Sequence, residues 1–188
     1  MAAPLPRDLR KLAARIRRCT WCDLHRSRTH AVPGEGPRTA RLFLVGEGPG
    51  RREDSAGKPF RGSAGAVLDE ALASARIRRD RTFITNTVKC RPPGNRRPRA
   101  TEMAACRLYL EAQLAAIRPR VIVALGQSAA RDVLGPGVTL ARVRGLWRSL
   151  GGTPVLATYH PAAILFNRRL FRVLVADLRT ARRRAGGP

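Results

Sequence analysis

Residues 42–62 read LFLVGEGPGRREDSAGKPFRG, and the rest of the chain reads most simply as support for them. The stretch opens on Leu42-Phe43-Leu44-Val45, a short apolar run that suits a buried strand. Gly46, Gly48 and Gly50 follow, with Glu47 and Pro49 between them. Glycines there let the backbone turn and approach a ligand closely. Glu47 therefore falls at the carboxyl end of a strand, where open α/β sheets place their ligand crevice. Lys58-Pro59-Phe60 brings an aromatic ring towards the same mouth. Taken alone, the stretch reads equally well as a plain strand-to-loop turn with a solvated glutamate, because Gly-rich turns after strands are common.

Working outward, residues 5–18 predict an amphipathic helix, with Leu5, Leu9, Leu12, Ala13 and Ile16 at helical spacing. Residues 23–40, with Pro33, Gly34, Gly36 and Pro37, read as irregular connecting chain. After the first strand (41–45), Ser63 is the expected N-cap of a helix over 64–75. Residues 83–88 predict a second strand, and residues 89–98 a Pro-rich loop. A helix to about 117 is expected to open at Thr101 and Glu102. Residues 121–125 form the third strand, with a helix to about 134 after it. Residues 135–153 read as Gly-rich connection, 155–158 as the fourth strand, and 168–184 as a last helix. Four short apolar strands alternating with helices predict a parallel sheet with helices on both faces. At 188 residues the chain suits one domain, 1–188, with a basic tail after Thr180 expected to fray.

Lys and Arg number 37 against 13 acids, a formal net charge of +24. Such an excess favours a polyanionic partner, most commonly a phosphate backbone. Only Lys11, Lys58 and Lys89 are lysines, as a GC-rich genome would produce, but that bias does not explain so few acids. No apolar run is long enough to span a bilayer, and no signal-peptide core is present, so membrane partners are not expected. The Arg-rich start has the composition of a transit peptide, yet it runs straight into Cys19 and Cys22 and is read as part of the fold.

Cys19 and Cys22 form a Cys-x-x-Cys pair, followed much later by Cys90 and Cys106. Two thiolates at that spacing can chelate one centre, and the later two complete it if the Pro-rich loop folds back. Four thiolates suit zinc or an iron–sulfur cluster. The wide second spacing departs from a zinc ribbon and favours a cluster. A redox Cys-x-x-Cys with two spectators, or two disulfides, are the alternatives, and disulfides are disfavoured in a chain that reads as cytosolic.

Four separated blocks now stand in one order. They are Gly46-Glu47-Gly48-Pro49-Gly50 with Glu53-Asp54; Gly57-Lys58-Pro59-Phe60-Arg61-Gly62; Asn86-Thr87-Val88-Lys89-Cys90-Arg91-Pro92-Pro93-Gly94-Asn95-Arg96; and His160-Pro161-Ala162-Ala163. Together with the four cysteines they resemble the family 4 uracil-DNA glycosylases, over roughly residues 10–180. The resemblance implies a three-layer α/β/α sandwich around a four-stranded parallel sheet. It also implies a [4Fe-4S] cluster on Cys19, Cys22, Cys90 and Cys106, and uracil-containing DNA as the partner of a monomer in the cytosol. Protein partners such as a sliding clamp are left open. Arg51-Arg52 stand where members often carry acids, which should sharpen attraction to DNA.

On that resemblance, Glu47 and His160 are the catalytic candidates. His160 would donate to the uracil O2 as negative charge builds there, and Glu47 would favour the sugar cation or orient water. An isolated histidine would read as structural, and Phe60 by spacing alone as core. The resemblance instead stacks Phe60 on the extruded base. Asn86, otherwise a turn residue, would pair through its amide with a uracil edge and reject cytosine. Gly46, Gly48 and Asn95 complete the substrate contacts. Arg91, Arg96, Arg97, Arg142 and Arg144 are the expected phosphate contacts, and Ile164 or Leu165 the apolar wedge. Relatives that trap DNA covalently use a histidine in an inserted basic loop. His25, His30 and His160 all lie outside 91–105, so covalent capture, or binding without catalysis, is the secondary reading.

Overall fold

The computed structural model describes residues 5–186. The first helix, α1 (Leu9–Arg17), starts later than its apolar spacing predicts, because Asp8 takes the cap position and its side chain accepts the Lys11 N–H at 2.8 Å. Leu12 and Ile16, one turn apart, are its buried face. Strand β1 (Leu42–Gly46) leads through a glycine turn into α2 (Arg51–Ala56) and then α3 (Ser63–Ser74), whose N-cap is Gly62, one residue before the expected Ser63. Strand β2 (Thr82–Asn86) is followed by α4 (Ala100–Ile117), β3 (Val121–Leu125), α5 (Gln127–Leu134) and α6 (Leu140–Val143). Strands β4 (Trp147–Leu150) and β5 (Thr153–Thr158) precede α7 (Pro161–Phe166) and α8 (Leu170–Arg184). The tail expected to fray after Thr180 is helical as far as Arg184, where Ala181 is still buried. Gly187 and Pro188 lie outside the described residues.

The sheet has five strands in the order β2-β1-β3-β5-β4, not four. Four are parallel, and β4 pairs antiparallel with β5, with Leu150 opposite Thr153. Only Gly151 and Gly152 lie between those two, at φ +53° and +84°, the left-handed backbone that a tight hairpin requires. Trp147-Arg148-Ser149-Leu150 is nowhere buried, so it lacks the continuous apolar run that marks the other strands.

Alternation along each inner strand feeds two separate cores. Leu42 and Leu44 of β1 pack with Leu68 and Leu72 of α3 and with Leu174 and Leu178 of α8. Phe43 and Val45 point the other way, towards Leu110 and Ile117 of α4 and Val133 of α5. Helices thus cover both faces, giving the α/β/α layers. Fully burying each such side chain is worth about 1.5–3 kcal/mol, and residues buried on both faces explain the unbroken apolar runs. A third apolar cluster joins Leu12 and Ile16 of α1 to Val88, Cys90, Cys106 and Tyr109.

Candidate active site

At the carboxyl ends of the parallel strands lies a cavity of about 260 Å³, walled by Glu47, Gly48, Phe60, Asn86, Asn95 and His160 among others. Glu47 and Gly48 come from the turn after β1, Phe60 from the loop after α2, Asn86 from the end of β2, Asn95 from the loop that follows it and His160 from the end of β5. Gly46 lies beneath the wall and is not on it. A Cβ there would stand 2.4 Å from Asn86 Oδ1 and 2.6 Å from Phe60 Cζ, so only glycine lets the amide and the ring approach so closely. Asn86 ends β2 opposite Gly46 and is 2 % exposed.

Phe60 sits at φ +52°, a left-handed backbone that a bulky residue adopts only when its surroundings force it. Buried Glu53 supplies that force. Its carboxylate accepts the N–H groups of Gly50 (3.0 Å), Arg61 (2.6 Å) and Gly62 (2.6 Å), binding α2 to the loop that carries the ring. The phenyl centroid lies 5.7 Å from the His160 ring, tilted by 30°.

His160 is the N-cap of α7, and its Nδ1 accepts the Ala162 N–H at 3.1 Å. In the neutral ring the proton therefore sits on Nε2. Burial pushes the imidazole down to about 4, opposed only in part by the negative charge of Glu53, although the ring keeps a partly exposed edge on the cavity. At neutral pH the site holds an uncharged N–H donor. Across the cavity, the Ser128 hydroxyl donates to Glu47 Oε2 and holds the carboxylate, while Thr87 Oγ1 donates to the Glu47 backbone carbonyl at 2.7 Å and fixes the turn beneath it.

The candidate DNA contacts separate. Arg91 donates to Asn95 Oδ1 at 2.7 Å, holding an asparagine at φ +54° on the cavity rim. Arg96 pairs with Glu102 at 2.6 Å, and Arg144 pairs with Asp177 at 3.4 Å and lies over the Tyr159 ring. Arg97 and Arg142 are exposed. Ile164, expected as a wedge, is 2 % exposed and belongs to the core under α7, because the helix turns that position inward. Leu165 and Phe166 point outward, 50 % and 92 % exposed. The sequence reading missed Phe166, Ser128 and Glu53. Phe166 was legible as an apolar residue one place beyond the proposed wedge. Glu53 was legible as the third residue of a helix after Gly50, where a glutamate caps the preceding N–H, whereas Ser128 acts on a partner too distant in the chain for any local pattern.

The four cysteines are free and line one small cavity with Lys89, Arg28 and Tyr109. Donors point at the sulfurs: Arg28 Nη1 to Cys90 Sγ at 3.0 Å, the Lys89 N–H to Cys106 Sγ at 3.3 Å and the Trp21 N–H to Cys19 Sγ at 3.5 Å. Burial raises the thiols of Cys22 and Cys90 and pushes Cys106 up to about 12, so a bound centre would displace protons. Among the described residues no three Cys, His, Asp or Glu side chains gather closely enough for one metal ion. Four sulfurs around one cage, three of them receiving N–H donors, nonetheless fit a polynuclear iron–sulfur group. Also among the described residues, no helix is long and apolar enough to cross a membrane.

An α/β/α protein with a strongly basic surface and an aromatic-and-amide pocket at its strand ends has the form of an enzyme that handles a single base of a polyanion. The chain belongs to the uracil DNA glycosylase superfamily, whose family model matches residues 33–179. It is 45 % identical over 177 residues to a type-4 uracil-DNA glycosylase of Thermotoga maritima, covering 91 % of each chain. It is 43 % identical to a type-4 uracil-DNA glycosylase of Archaeoglobus fulgidus, covering 92 % of this chain and 90 % of the relative. A type-5 uracil-DNA glycosylase of Pyrobaculum aerophilum is 34 % identical over 82 % of this chain and 76 % of its own.

Proposed function

We propose that the protein is a monofunctional uracil-DNA glycosylase, which hydrolyses the N-glycosidic bond of deoxyuridine in DNA, releases uracil and leaves an abasic site for base excision repair. The observation that carries this is the convergence of Glu47, Phe60, Asn86 and His160 on one cavity of about 260 Å³. An extruded base must be stacked, read and polarised, and its sugar must meet water. Phe60 offers the stacking face and the Asn86 amide the base-reading edge. The neutral His160 Nε2–H, fixed by the Ala162 N–H on the far nitrogen, donates to the O2 on which charge grows as the bond breaks. A neutral donor strengthens that bond as the anion forms without first neutralising the site. Glu47, steadied by Ser128, faces the sugar side, where it favours positive charge or orients the attacking water.

Uracil-containing DNA is held through its phosphates by Arg97 and Arg142, with Leu165, and beside it Phe166, as the apolar wedge that fills the gap in the stack. Cys19, Cys22, Cys90 and Cys106 would hold a [4Fe-4S] cluster. Bound there, it supplies a cross-link between α1, the loop over 89–98 and α4, and so stiffens the loop that carries Asn95. The chain acts as one domain and as a monomer, in the cytosol of its cell.

A uracil-containing oligonucleotide tests the reading. Release of free uracil with an alkali-labile site left behind is the expected result. Tight binding without release would make the chain a damage-binding protein instead.

A further inference from the structure

Lys89 is 1 % exposed, and its Nζ donates to three oxygens: Thr85 Oγ1 at 2.7 Å, the Asn86 carbonyl at 2.7 Å and Gln113 Oε1 at 2.8 Å. All three partners are neutral. The Asn86 carbonyl faces the outer edge of β2. Two residues earlier, Ile84 exchanges backbone hydrogen bonds with Glu35 on that side, at 3.0 and 2.8 Å, and alternate residues of a strand face the same edge. Where the Glu35 bridge ends, the Lys89 ammonium takes the place of a neighbouring strand. Thr85 Oγ1 and Gln113 Nε2 both donate to the Pro33 carbonyl, at 3.0 and 2.6 Å, which closes the network.

The same residue touches the cysteine cage. Its backbone N–H donates to Cys106 Sγ, its chain neighbour is Cys90, and Gln113 stands two turns along α4 from Cys106. A buried ammonium with neutral partners needs negative charge nearby. The cage cysteines, ligating as thiolates, supply it together with the buried Asp132 carboxylate, with Arg28 as the second cation on the cage.

We propose that Lys89 is a positioning residue that couples the four-cysteine cage to base recognition: balanced by the cage's thiolates, its ammonium pins the Asn86 carbonyl and thereby the amide that reads the base. The proposal rests on the glycosylase reading above.

Lys89→Met removes the charge and the three hydrogen bonds at similar side-chain length. It is compared with the unmodified protein, Asn86→Ala and the double variant. The expected Lys89→Met protein keeps its iron and its visible absorption. Its single-turnover rate on uracil falls about ten-fold with KM changed less than about two-fold, and in the Asn86→Ala background the further loss is below about two-fold. Equal losses in both backgrounds would mean that Lys89 only supports the fold, and the proposal fails. Independently of activity, the midpoint potential of the bound cluster is expected to fall in Lys89→Met, and an unchanged potential removes the charge link. If Lys89→Met loses its iron, Lys89→Gln, which keeps an N–H donor, is carried through the same measurements. Loss of iron from both assigns Lys89 to cage assembly and overturns the proposal. An unmodified protein that frees no uracil defeats the functional reading instead, and the potential still tests the charge link.

Discussion

The phenyl ring of Phe60 and the imidazole of His160 stand 5.7 Å apart at a 30° tilt, although 100 residues separate them in the chain. One comes from a strained loop after α2 and the other from the cap of α7, and the space beside them is where a flat base would lie.

His160→Ala is expected to reduce uracil release by about 10²–10³-fold, the loss typical of removing one donor to a developing anion. Single-turnover assays on a uracil oligonucleotide measure it, with circular dichroism to show that the variant folds. A near-normal rate would strip His160 of its role.

Two pH effects follow from the lowered His160 pKa. The native ring stays neutral down to about 4, whereas in the unfolded chain it takes up a proton near 6.5. The unfolded state therefore binds more protons as pH falls from 6.5 towards 4, and stability drops through that window. His160→Gln should flatten this part of the stability profile in urea titrations. The rate should show no acid limb from His160 between pH 8 and 5.

Asn86→Asp is expected to lower the preference for uracil over cytosine. A carboxylate keeps the acceptors but loses the N–H donor, so the edge it reads is altered. Competing uracil and cytosine oligonucleotides provide the measurement. Unchanged discrimination would place base reading elsewhere.

On α7 two residues two places apart should behave oppositely. Ile164→Ala opens the core and is expected to cost about 2–5 kcal/mol in stability. Phe166→Ala should leave the melting temperature unchanged while weakening uracil removal from duplex DNA more than from single strands. A duplex rate equal to that of the unmodified protein would exclude Phe166 from any wedge.

The purified protein is expected to be brown, with about four irons per chain. Removing the iron should lower its melting temperature, because α1, the loop over 89–98 and α4 lose their shared tie. A colourless zinc protein would overturn the cluster.

Local chemistry made much of this readable in advance. Leu42-Phe43-Leu44-Val45 and Val121-Ile122-Val123-Ala124-Leu125 announce strands buried on both faces, because nothing polar interrupts them. Trp147-Arg148-Ser149-Leu150 escaped notice as an edge strand that stays half in solvent, although the Gly151-Gly152 pair beside it was a hairpin signal. Helix α2 escaped as well. Its buried residues are Glu53 and Asp54, so its inward face is polar and leaves no apolar stripe to read.

The four parallel strands, the longer helices between them and the basic character were thus properties of the chain itself, set by side-chain polarity and by spacing within a few residues, whereas the pocket residues were legible only through the resemblance of their motifs to a family. Tertiary structure alone decided which face Ile164 would take, which arginines Glu102 and Asp177 would occupy, that Glu53 would force Phe60 into its strained backbone, and that Lys89 would hold Asn86 from behind. The Ile164 and Asp177 contacts join elements far apart in the chain, and the Glu53, Glu102 and Lys89 contacts, though short in sequence, form only once their loops are folded against the sheet.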